Sequence, residues 1–183
     1  PGGHEIVLPA ILYYTLTDGE YPGLLPGQKR TIKTGDAAKF KTFDEFMEAF
    51  RRQLSHNIKV LVNAIAAKDR VYMEHMPSPY ISALMEGCIE NAKDMTCGGA
   101  KHDFTSIIAH GIATTTDSIY TIKKMVFENK EITVKELVDA CLGDFPDEQL
   151  RQKILTKLPK YGTGDEEVDA LARHITKMFY DEV

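Results

Sequence analysis

The first apolar block of the chain runs from Ile6 to Leu16 and contains Pro9. Because proline is tolerated in the first turn of a helix, this block is either a helix with Pro9 near its start or a buried strand; so short a run does not decide between them. The next stretch, Asp18 to Lys41, is rich in Gly, Pro, Lys and Thr, which predicts a long ordered loop, often a functional feature. Its turn sequences are Tyr21-Pro22-Gly23, Leu25-Pro26-Gly27 and Thr34-Gly35-Asp36.

A long helix is predicted after this loop. Thr42 to Glu45 forms a capping box, in which the Thr42 hydroxyl accepts a hydrogen bond from the Glu45 amide and the Glu45 carboxylate reaches back. The helix is expected to continue toward Met76, where Pro77 and Pro79 stop it. Its apolar positions, which we interpret as core, are Phe43, Phe46, Phe50, Leu54, Leu61 and Ile65.

The rest of the chain predicts one extended segment, Tyr80 to Leu84, and then four helices. The first helix runs from about Ile107 to Phe127, and a second capping box, Thr133 to Glu136, starts the next one. The last two run from about Asp147 to Lys157 and from just after Gly162. The apolar positions of the first and last of these helices are Ile108, Ile112, Ile119, Ile122, Val126, Val168, Leu171, Ile175 and Met178.

This pattern predicts a mostly helical architecture with one or two buried strands, too few to close a sheet within the chain. That fits an α/β class, as a slice of a larger barrel whose helices cover the outside of a ring of strands. It equally fits a small all-α domain. The local pattern alone does not choose between the two.

Composition and charge argue against some classes of function, such as nucleic-acid binding. The chain has 183 residues, 43% hydrophobic and 27% charged, with a net charge of −5, which argues against a nucleic-acid-binding surface. No apolar run approaches the roughly 18 to 20 residues of a membrane helix. Pro1 to Glu5 shows no secretory signal and no initiator Met, so we expect a chain that begins inside a longer protein or was processed. The odd set Cys88, Cys97 and Cys141 favours a reducing, cytoplasmic setting.

The segment from Pro77 to His102 collects titratable groups, small residues and two cysteines. Glu86, Glu90 and Asp94 are four residues apart and would share one face of a helix, commonly a solvated face. The Gly98-Gly99 pair predicts a sharp turn or a close approach of backbones, since it lacks the spacing and the lysine of a phosphate loop.

A metal site is one alternative for this region. Cys88, Cys97, His102 and His110 could be ligands, in which case the protein would be a metal-dependent hydrolase. Their spacing, C-x8-C-x4-H-x7-H, is not that of a zinc finger, so we predict no metal.

The same segment follows the pattern P-x-P-x-x-S-x-L-x-x-x-C-I-E-x-x-x-D-x-T-x-G-G-A, which begins at Pro77 and ends at Ala100. In this pattern the chain resembles the glycyl radical enzymes, in the branch that includes glycerol and diol dehydratases, choline lyase and arylacetate decarboxylases. Four more pieces resemble family motifs in the same order: Thr34-Gly35-Asp36, Phe43 to Phe46, Gly111 to Lys124, and Pro159 to Gly162 with Val168-Asp169. Thr163-Gly164 and His102-Asp103 depart from the family, which usually has Asn-Asp and Tyr-Asn there.

The resemblance implies that residues 1–183 form part of one pyruvate formate-lyase-like catalytic domain, within a ten-stranded barrel. The parent would be an anaerobic, cytoplasmic, homodimeric lyase that cleaves a C–O, C–N or C–C bond of a small polar substrate. A separate activating enzyme with an iron–sulfur cluster and S-adenosylmethionine would install a radical on a glycine, which oxidises a cysteine in a G-C-x-E motif. The resulting thiyl takes a hydrogen atom from the substrate in a dry, closed site.

Gly87-Cys88-Ile89-Glu90 has the G-C-x-E spacing, but Asn91 follows where the catalytic copy usually has proline. We therefore interpret it as a second, downstream motif, which leaves Cys88 and Glu90 as minor catalytic candidates. The catalytic cysteine loop is expected before residue 1 and the glycyl radical domain after residue 183, so the isolated chain is expected to be inactive. A stand-alone helical binding or regulatory module derived from the family is the alternative.

Other residues of this chain are candidates for the substrate pocket or for structural roles, although a buried serine such as Ser82 more commonly bonds to backbone. The substrate-pocket candidates are Ser82, Glu86 and His102. The structural-motif residues are Asp94, Gly98, Gly99, Gly162 and Asp169.

Overall fold

A computed structural model describes residues 3–20 and 30–183, so the predicted turns at Tyr21 to Gly23 and Leu25 to Gly27 lie outside the described residues. The elements, in chain order, are β1 (His4–Val7), α1 (Leu8–Leu16), α2 (Phe43–His75), α3 (Pro79–Ser82), β2 (Ile107–His110), α4 (Ile112–Thr121), α5 (Val134–Leu142), α6 (Glu148–Thr156) and α7 (Glu166–Glu182). Short 3-10 turns lie at Ala37–Lys39 and Met95–Cys97, and a π-helical segment follows α4 at Ile122–Glu128.

The residues divide into two compact units. Unit 1 consists of Pro1–Ile6 and Ile58–Ile108, and unit 2 of Val7–Asn57 and Ala109–Val183. Most of the buried apolar side chains of the described residues lie in unit 2, which therefore holds the main core. In the described part of the chain, no helix is both long enough and apolar enough to cross a membrane.

Strands β1 and β2 pair into a two-stranded sheet, so the all-α alternative is wrong. The helix predicted from Ile107 is also wrong over its first turn, since Ile107–His110 is strand and α4 begins only at Ile112. The physical reason is Gly111, whose φ of +79° cannot belong to a right-handed helix. A Cβ at Gly111 would lie 2.6 Å from Pro9 Cδ, so the backbone must pass close to α1 at this point. Of the two conformations left open for the first apolar block, most of it is helix, with Pro9 in the first turn of α1, while Ile6 and Val7 belong to β1.

Helix α2 has the predicted bounds, and its start differs in one detail. The Glu45 amide donates to the Thr42 hydroxyl at 3.2 Å, as predicted. The Glu45 carboxylate, however, accepts from the Lys41 amide at 2.6 Å, one residue earlier than in a capping box. The predicted stripe is confirmed as core at Phe46, Phe50 and Leu54, all fully buried.

The π-helical segment changes the register of the predicted apolar face. The Asn129 amide donates to the Lys124 carbonyl, five residues back, at 2.8 Å. As a result Met125 is buried, whereas Val126, which the helical spacing placed on the apolar side, is only half-buried. The capping box at Thr133 is confirmed in both of its hydrogen bonds with Glu136.

Helices α6 and α7 begin at aspartates that cap their first amides. Asp147 accepts from the amides of Gln149 and Leu150, and Asp165 accepts from those of the second and third residues of α7. Both helices therefore start within a few residues of their predicted positions.

Candidate functional site

The segment from Pro77 to Asp103, in unit 1, is built from turns around one short helix. The extended conformation predicted for Tyr80 to Leu84 is wrong, because α3 begins at Pro79, whose fixed φ suits the first position of a helix. After α3 the chain continues in turns to Ala92. Consequently Glu86, Glu90 and Asp94 do not share a helix face, and each has a different local partner.

Asp94 is the centre of this segment. One carboxylate oxygen accepts from the Thr96 amide at 2.9 Å and the Thr96 hydroxyl at 2.7 Å. The other accepts from the Ser78 amide at 2.9 Å and the Ser82 hydroxyl at 2.8 Å. These donors, the Thr96 amide foremost, hold the pKa of the Asp94 carboxyl below its ordinary value. The carboxylate thus joins the start of α3 to the 3-10 turn at Met95–Cys97.

Ser82, a substrate-pocket candidate, is buried and engaged in this network. Its hydroxyl donates to Asp94 and accepts from the Met95 amide at 2.9 Å. With Cys88 and Ile89 it lines a shallow cavity of about 310 Å³. In this geometry the Ser82 side chain stabilises the local structure by joining α3 to Asp94 and Met95.

Glu86 and His102, the other two pocket candidates, do not line the cavity beside Ser82. Glu86 is exposed, and its carboxylate accepts from the Lys101 ammonium at 2.5 Å while its backbone carbonyl accepts from the Lys101 amide at 2.8 Å. These two bonds close a loop across residues 86–101. His102 follows directly and is exposed.

Cys88 and Glu90 lie in the turns between these residues. Cys88 is buried and its carbonyl accepts from the Lys93 amide at 3.0 Å, whereas the Glu90 carboxylate is exposed and accepts from the Gly87 amide at 3.0 Å. A thiyl-forming cysteine with an acid or base at its side needs both groups facing one cavity. Glu90 instead caps a turn and does not line the cavity that Cys88 lines.

Gly98 and Gly99 are required for different reasons. Gly98 has φ of +75°, a conformation that glycine adopts at little cost. A Cβ at Gly99 would lie 2.1 Å from the Lys93 carbonyl oxygen and 2.9 Å from that of Asp94. The Asn91 side-chain amide donates to the Gly99 carbonyl at 3.0 Å, which fixes the same close approach.

The Cys/His metal alternative has no geometric support. Within residues 3–20 and 30–183, no three His, Cys, Asp or Glu side chains are grouped so as to hold a metal ion. Cys88, buried in unit 1, and Cys97, exposed, are both free thiols.

A second cluster, in unit 2, joins α7 to α4 and the π-helical segment. The Glu167 carboxylate accepts from the Tyr120 hydroxyl at 3.1 Å, from Lys123 Nζ at 2.6 Å and from Lys124 Nζ at 2.9 Å. The two ammonium groups lower the pKa of Glu167 to about 2. Burial is the main cause that raises the pKa of Tyr120, and the hydrogen bond to Glu128 raises that of Lys124.

Glu167→Gln is expected to lower the free energy of unfolding by about 1 kcal/mol at neutral pH, because solvent screens a side chain that is 43% exposed. Since the pKa of Glu167 is depressed in the folded state, its contribution is present above its ordinary pKa of 4.5 and is lost as the pH falls toward 2. Urea unfolding at pH 7 and pH 3 should show a smaller difference from the unmodified chain at pH 3 than at pH 7. Glu166→Gln, which removes an exposed pair with Arg173, is the control; equal losses in both variants would contradict the prediction.

The loop that follows α6 is held by residues of two predicted motifs. The Tyr161 amide donates to the Asp117 carboxylate at 2.8 Å, and the Gly162 amide donates to Asp169 at 3.2 Å. Gly162 and Gly164 both have positive φ, +83° and +87°. Asp117 and Asp169 thus act on backbone amides of this loop.

Sequence reasoning missed Gln53. This fully buried side chain donates to the Ile32 carbonyl at 2.8 Å and to the Thr34 hydroxyl at 3.2 Å. Asp18 accepts from the amides of Thr34 and Gly35 at 2.9 and 2.8 Å, so the Thr34-Gly35-Asp36 motif is anchored from two sides. The signal that could have identified Gln53 is its position: it is an uncharged polar residue next to Leu54, on the apolar face of α2.

Comparison with known proteins identifies the family of this chain. The family model described as pyruvate formate lyase-like matches residues 3–183. The chain belongs to this family. The resemblance to glycyl radical enzymes stated from the sequence motifs is thereby confirmed.

Several proteins to which this chain is similar are dehydratases or other glycyl radical enzymes. The chain is 34% identical over 177 residues to trans-4-hydroxy-L-proline dehydratase of Clostridioides difficile, covering 96% of this chain and 22% of that protein. The B12-independent glycerol dehydratase from Clostridium butyricum, solved with glycerol, superposes with a TM-score of 0.88 at 31% identity, covering 98% of this chain and 22% of its own. A glycyl radical enzyme from Archaeoglobus fulgidus gives a TM-score of 0.85 at 30% identity, over 98% and 22% of the two chains.

The chain therefore spans about a fifth of the length of the relatives it matches. Its predominantly helical α/β structure corresponds to one part of glycyl radical enzyme structures. In this part, the motif residues hold loops in place. Asp94 accepts a hydrogen bond from the Ser78 amide, and Asp169 accepts one from the Gly162 amide.

Proposed function

We propose that the chain is part of the catalytic domain of a glycyl radical lyase that acts on a small polar substrate, with dehydration, a C–O cleavage, as the reaction class. The observation that carries this proposal is the 34% identity to trans-4-hydroxy-L-proline dehydratase along 96% of the chain. The likeness to a glycerol dehydratase structure supports the same reaction class.

In this proposal the radical residues lie outside the chain, the catalytic cysteine before residue 1 and the radical glycine after residue 183. A separate S-adenosylmethionine-dependent activating enzyme installs the radical, and the parent is an anaerobic, cytoplasmic homodimer. The chain contributes helices to the barrel, and its own residues hold loops in place. Asp94 fixes the turns around Cys88, and Glu167 fixes α7 against the helix that carries Lys123.

Cys88→Ala in the full-length protein is expected to leave turnover within a few-fold of the unmodified enzyme, since Cys88 is a buried thiol and the carboxylate that lines the same cavity, Asp94, already accepts four hydrogen bonds. Turnover after anaerobic activation, together with a melting curve, measures this. Loss of all turnover in a folded Cys88→Ala protein would make Cys88 the thiyl residue and contradict the assignment. Cys141→Ala is the matched control.

The alternative, a stand-alone helical module, predicts a surface compatible with solvent. Tyr80, Leu84 and Phe104 count against it, because each is a large apolar side chain that is mostly exposed in the chain. A part of a larger barrel is expected to carry such side chains where other segments cover them.

The test of the proposed function is turnover by the full-length protein after anaerobic activation. Trans-4-hydroxyproline, glycerol and propane-1,2-diol are the first substrates to try, with substrate loss followed by chromatography. Dehydration of one of them supports the proposal. Release of carbon dioxide from an arylacetate, with no dehydration of any polyol or hydroxylated amino acid, would overturn the reaction class.

A further inference from the structure

Unit 1 contains a cavity of about 550 Å³ beside the 3-10 turn at Met95–Cys97. Its walls come from the last turns of α2, from that 3-10 turn with Gly98, and from residues 103–105, shortly before β2. Small-molecule sites in proteins commonly have volumes of roughly 300 to 1,000 Å³ and place a few polar groups among apolar ones. The size of this cavity therefore suits a small ligand, and its lining decides which kind.

Contacts within unit 1 hold the walls of this cavity in place. The Asp94 carboxylate fixes the 3-10 turn by accepting from the amide of its second residue. Cys97 Sγ contacts the Met73 carbonyl oxygen at 4.0 Å, which links the turn to α2. The Lys101 amide donates to the Glu86 carbonyl at 2.8 Å, which fixes the chain just before residue 103. Because these walls are already formed, binding requires little ordering of the protein.

The charged groups that line the cavity are Lys68, Asp69 and Asp103. Lys68 Nζ lies 2.9 Å from His4 Nε2 and 3.5 Å from Asp69 Oδ1, so its charge is offset by a neighbouring carboxylate. The Asp103 carboxylate lies beside Gly98, with Oδ2 3.5 Å from the position of an added Cβ. Among residues 3–20 and 30–183, Asp103 has no hydrogen bond or ion pair. The lining is therefore left with the negative charge of Asp103, whose oxygens are available as acceptors.

Two thioether side chains, Met73 of α2 and Met95 of the 3-10 turn, give the same cavity apolar surface. Methionine is flexible and adapts its shape to an apolar neighbour. A carboxylate beside such surface suits an ammonium group that carries a short hydrocarbon chain, since the hydrogen bond from an ammonium to a carboxylate is charge-assisted. An anionic ligand is disfavoured, because Asp103 repels it and Lys68 already has its partners.

We propose that this cavity binds a small primary alkylamine in its ammonium form. Asp103 accepts from the ammonium group, and Met73 and Met95 contact the hydrocarbon chain. The proposal goes beyond the proposed function and does not depend on its reaction class, because binding at this cavity needs no radical and no activating enzyme.

Ligand-observed NMR titration of the full-length protein with n-butylammonium chloride measures the affinity. Asp103→Asn keeps the shape of the side chain and removes its charge, so it should raise the Kd at least about fivefold. Glu74→Gln, which removes a charge from an exposed residue of α2 outside the lining, should change the Kd less than about twofold. No binding to the unmodified protein, or equal Kd values for the two variants, would overturn the proposal.

Cys97 reports whether the amine lies in this cavity. It lines the cavity as an exposed free thiol, whereas Cys141, also exposed and free, lies in unit 2. At about four times its Kd, n-butylammonium should slow the alkylation of Cys97 by iodoacetamide about fivefold and leave Cys141 unchanged. Peptide mass spectrometry of the full-length protein follows both reactions, and butan-1-ol, a neutral molecule of the same length, should protect neither thiol.

Two results of this alkylation experiment would contradict the proposal. Alkylation of Cys97 that is equally fast with and without the amine would mean that the amine binds elsewhere. A Cys97 that does not react even without the amine would mean that another segment of the full-length protein fills the cavity.

Discussion

Gly99→Ala is expected to destabilise the segment around Asp94 by about 3 kcal/mol, more than Gly98→Ala does, although Gly98 is the residue with positive φ. An added Cβ at Gly99 would lie 2.1 Å from the Lys93 carbonyl oxygen and 2.7 Å from its carbon. These atoms are backbone and cannot rotate away, so the turn must open. At Gly98 the nearest atom is the Asp103 carboxylate at 3.5 Å, and the cost is the left-handed conformation alone, about 1–2 kcal/mol.

The measurement is amide exchange in the full-length protein at Cys97, Gly99 and Lys101, whose N–H groups donate to the carbonyls of Asp94 and Glu86. A loss of 3 kcal/mol corresponds to exchange about a hundredfold faster. If Gly98→Ala accelerates exchange more than Gly99→Ala, then backbone conformation and not the close approach governs this turn.

Phe46→Ala is expected to cost unit 2 about 4 kcal/mol, the largest effect we predict for a core position. Phe46 is fully buried, and its ring lies 6.3 Å from that of Phe43, 6.5 Å from that of Phe40 and 6.1 Å from that of Phe127. Removing the ring leaves a cavity between α2 and the π-helical segment, and the neighbouring rings lose their contacts.

Urea unfolding of residues 1–183, followed by circular dichroism, measures this loss. Phe43→Ala is the control: its side chain belongs to the same cluster but is only half-buried, so it should cost about 1.5 kcal/mol. Similar losses for the two variants would mean that the cluster can collapse around the missing ring and is not packed as described.

Helix boundaries were predictable where a local side chain fixes them. Thr133 with Glu136 and the aspartates Asp147 and Asp165 cap the helices that follow them, so nearby residues carry the whole signal. The first turn predicted from Ile107 was wrong because Gly111 and its contact with Pro9 end the strand, and such a contact depends on residues far away in the sequence.

In the candidate site, too, contacts between residues close in the sequence were easier to predict than contacts between distant residues. Asp94 was identified through the resemblance, whose pattern includes Ser82 and Thr96, the two residues whose side chains the Asp94 carboxylate contacts; the helix face shared with Glu86 and Glu90 was wrong. Gln53 was missed because its partners, Ile32 and Thr34, belong to a loop about twenty residues earlier, and only the fold brings them together. The assignment of Ser82, Glu86 and His102 to a substrate pocket stays a prediction, to which segments outside the chain would have to contribute.

The most direct test of the central claim is an electron paramagnetic resonance spectrum, recorded after anaerobic treatment with an S-adenosylmethionine-dependent activating enzyme. The full-length protein and residues 1–183 alone are compared side by side. Our account predicts the doublet of a glycyl radical from the full-length protein and none from residues 1–183. A doublet from residues 1–183, or its absence from the full-length protein with an activating enzyme that works on a related dehydratase, would contradict it.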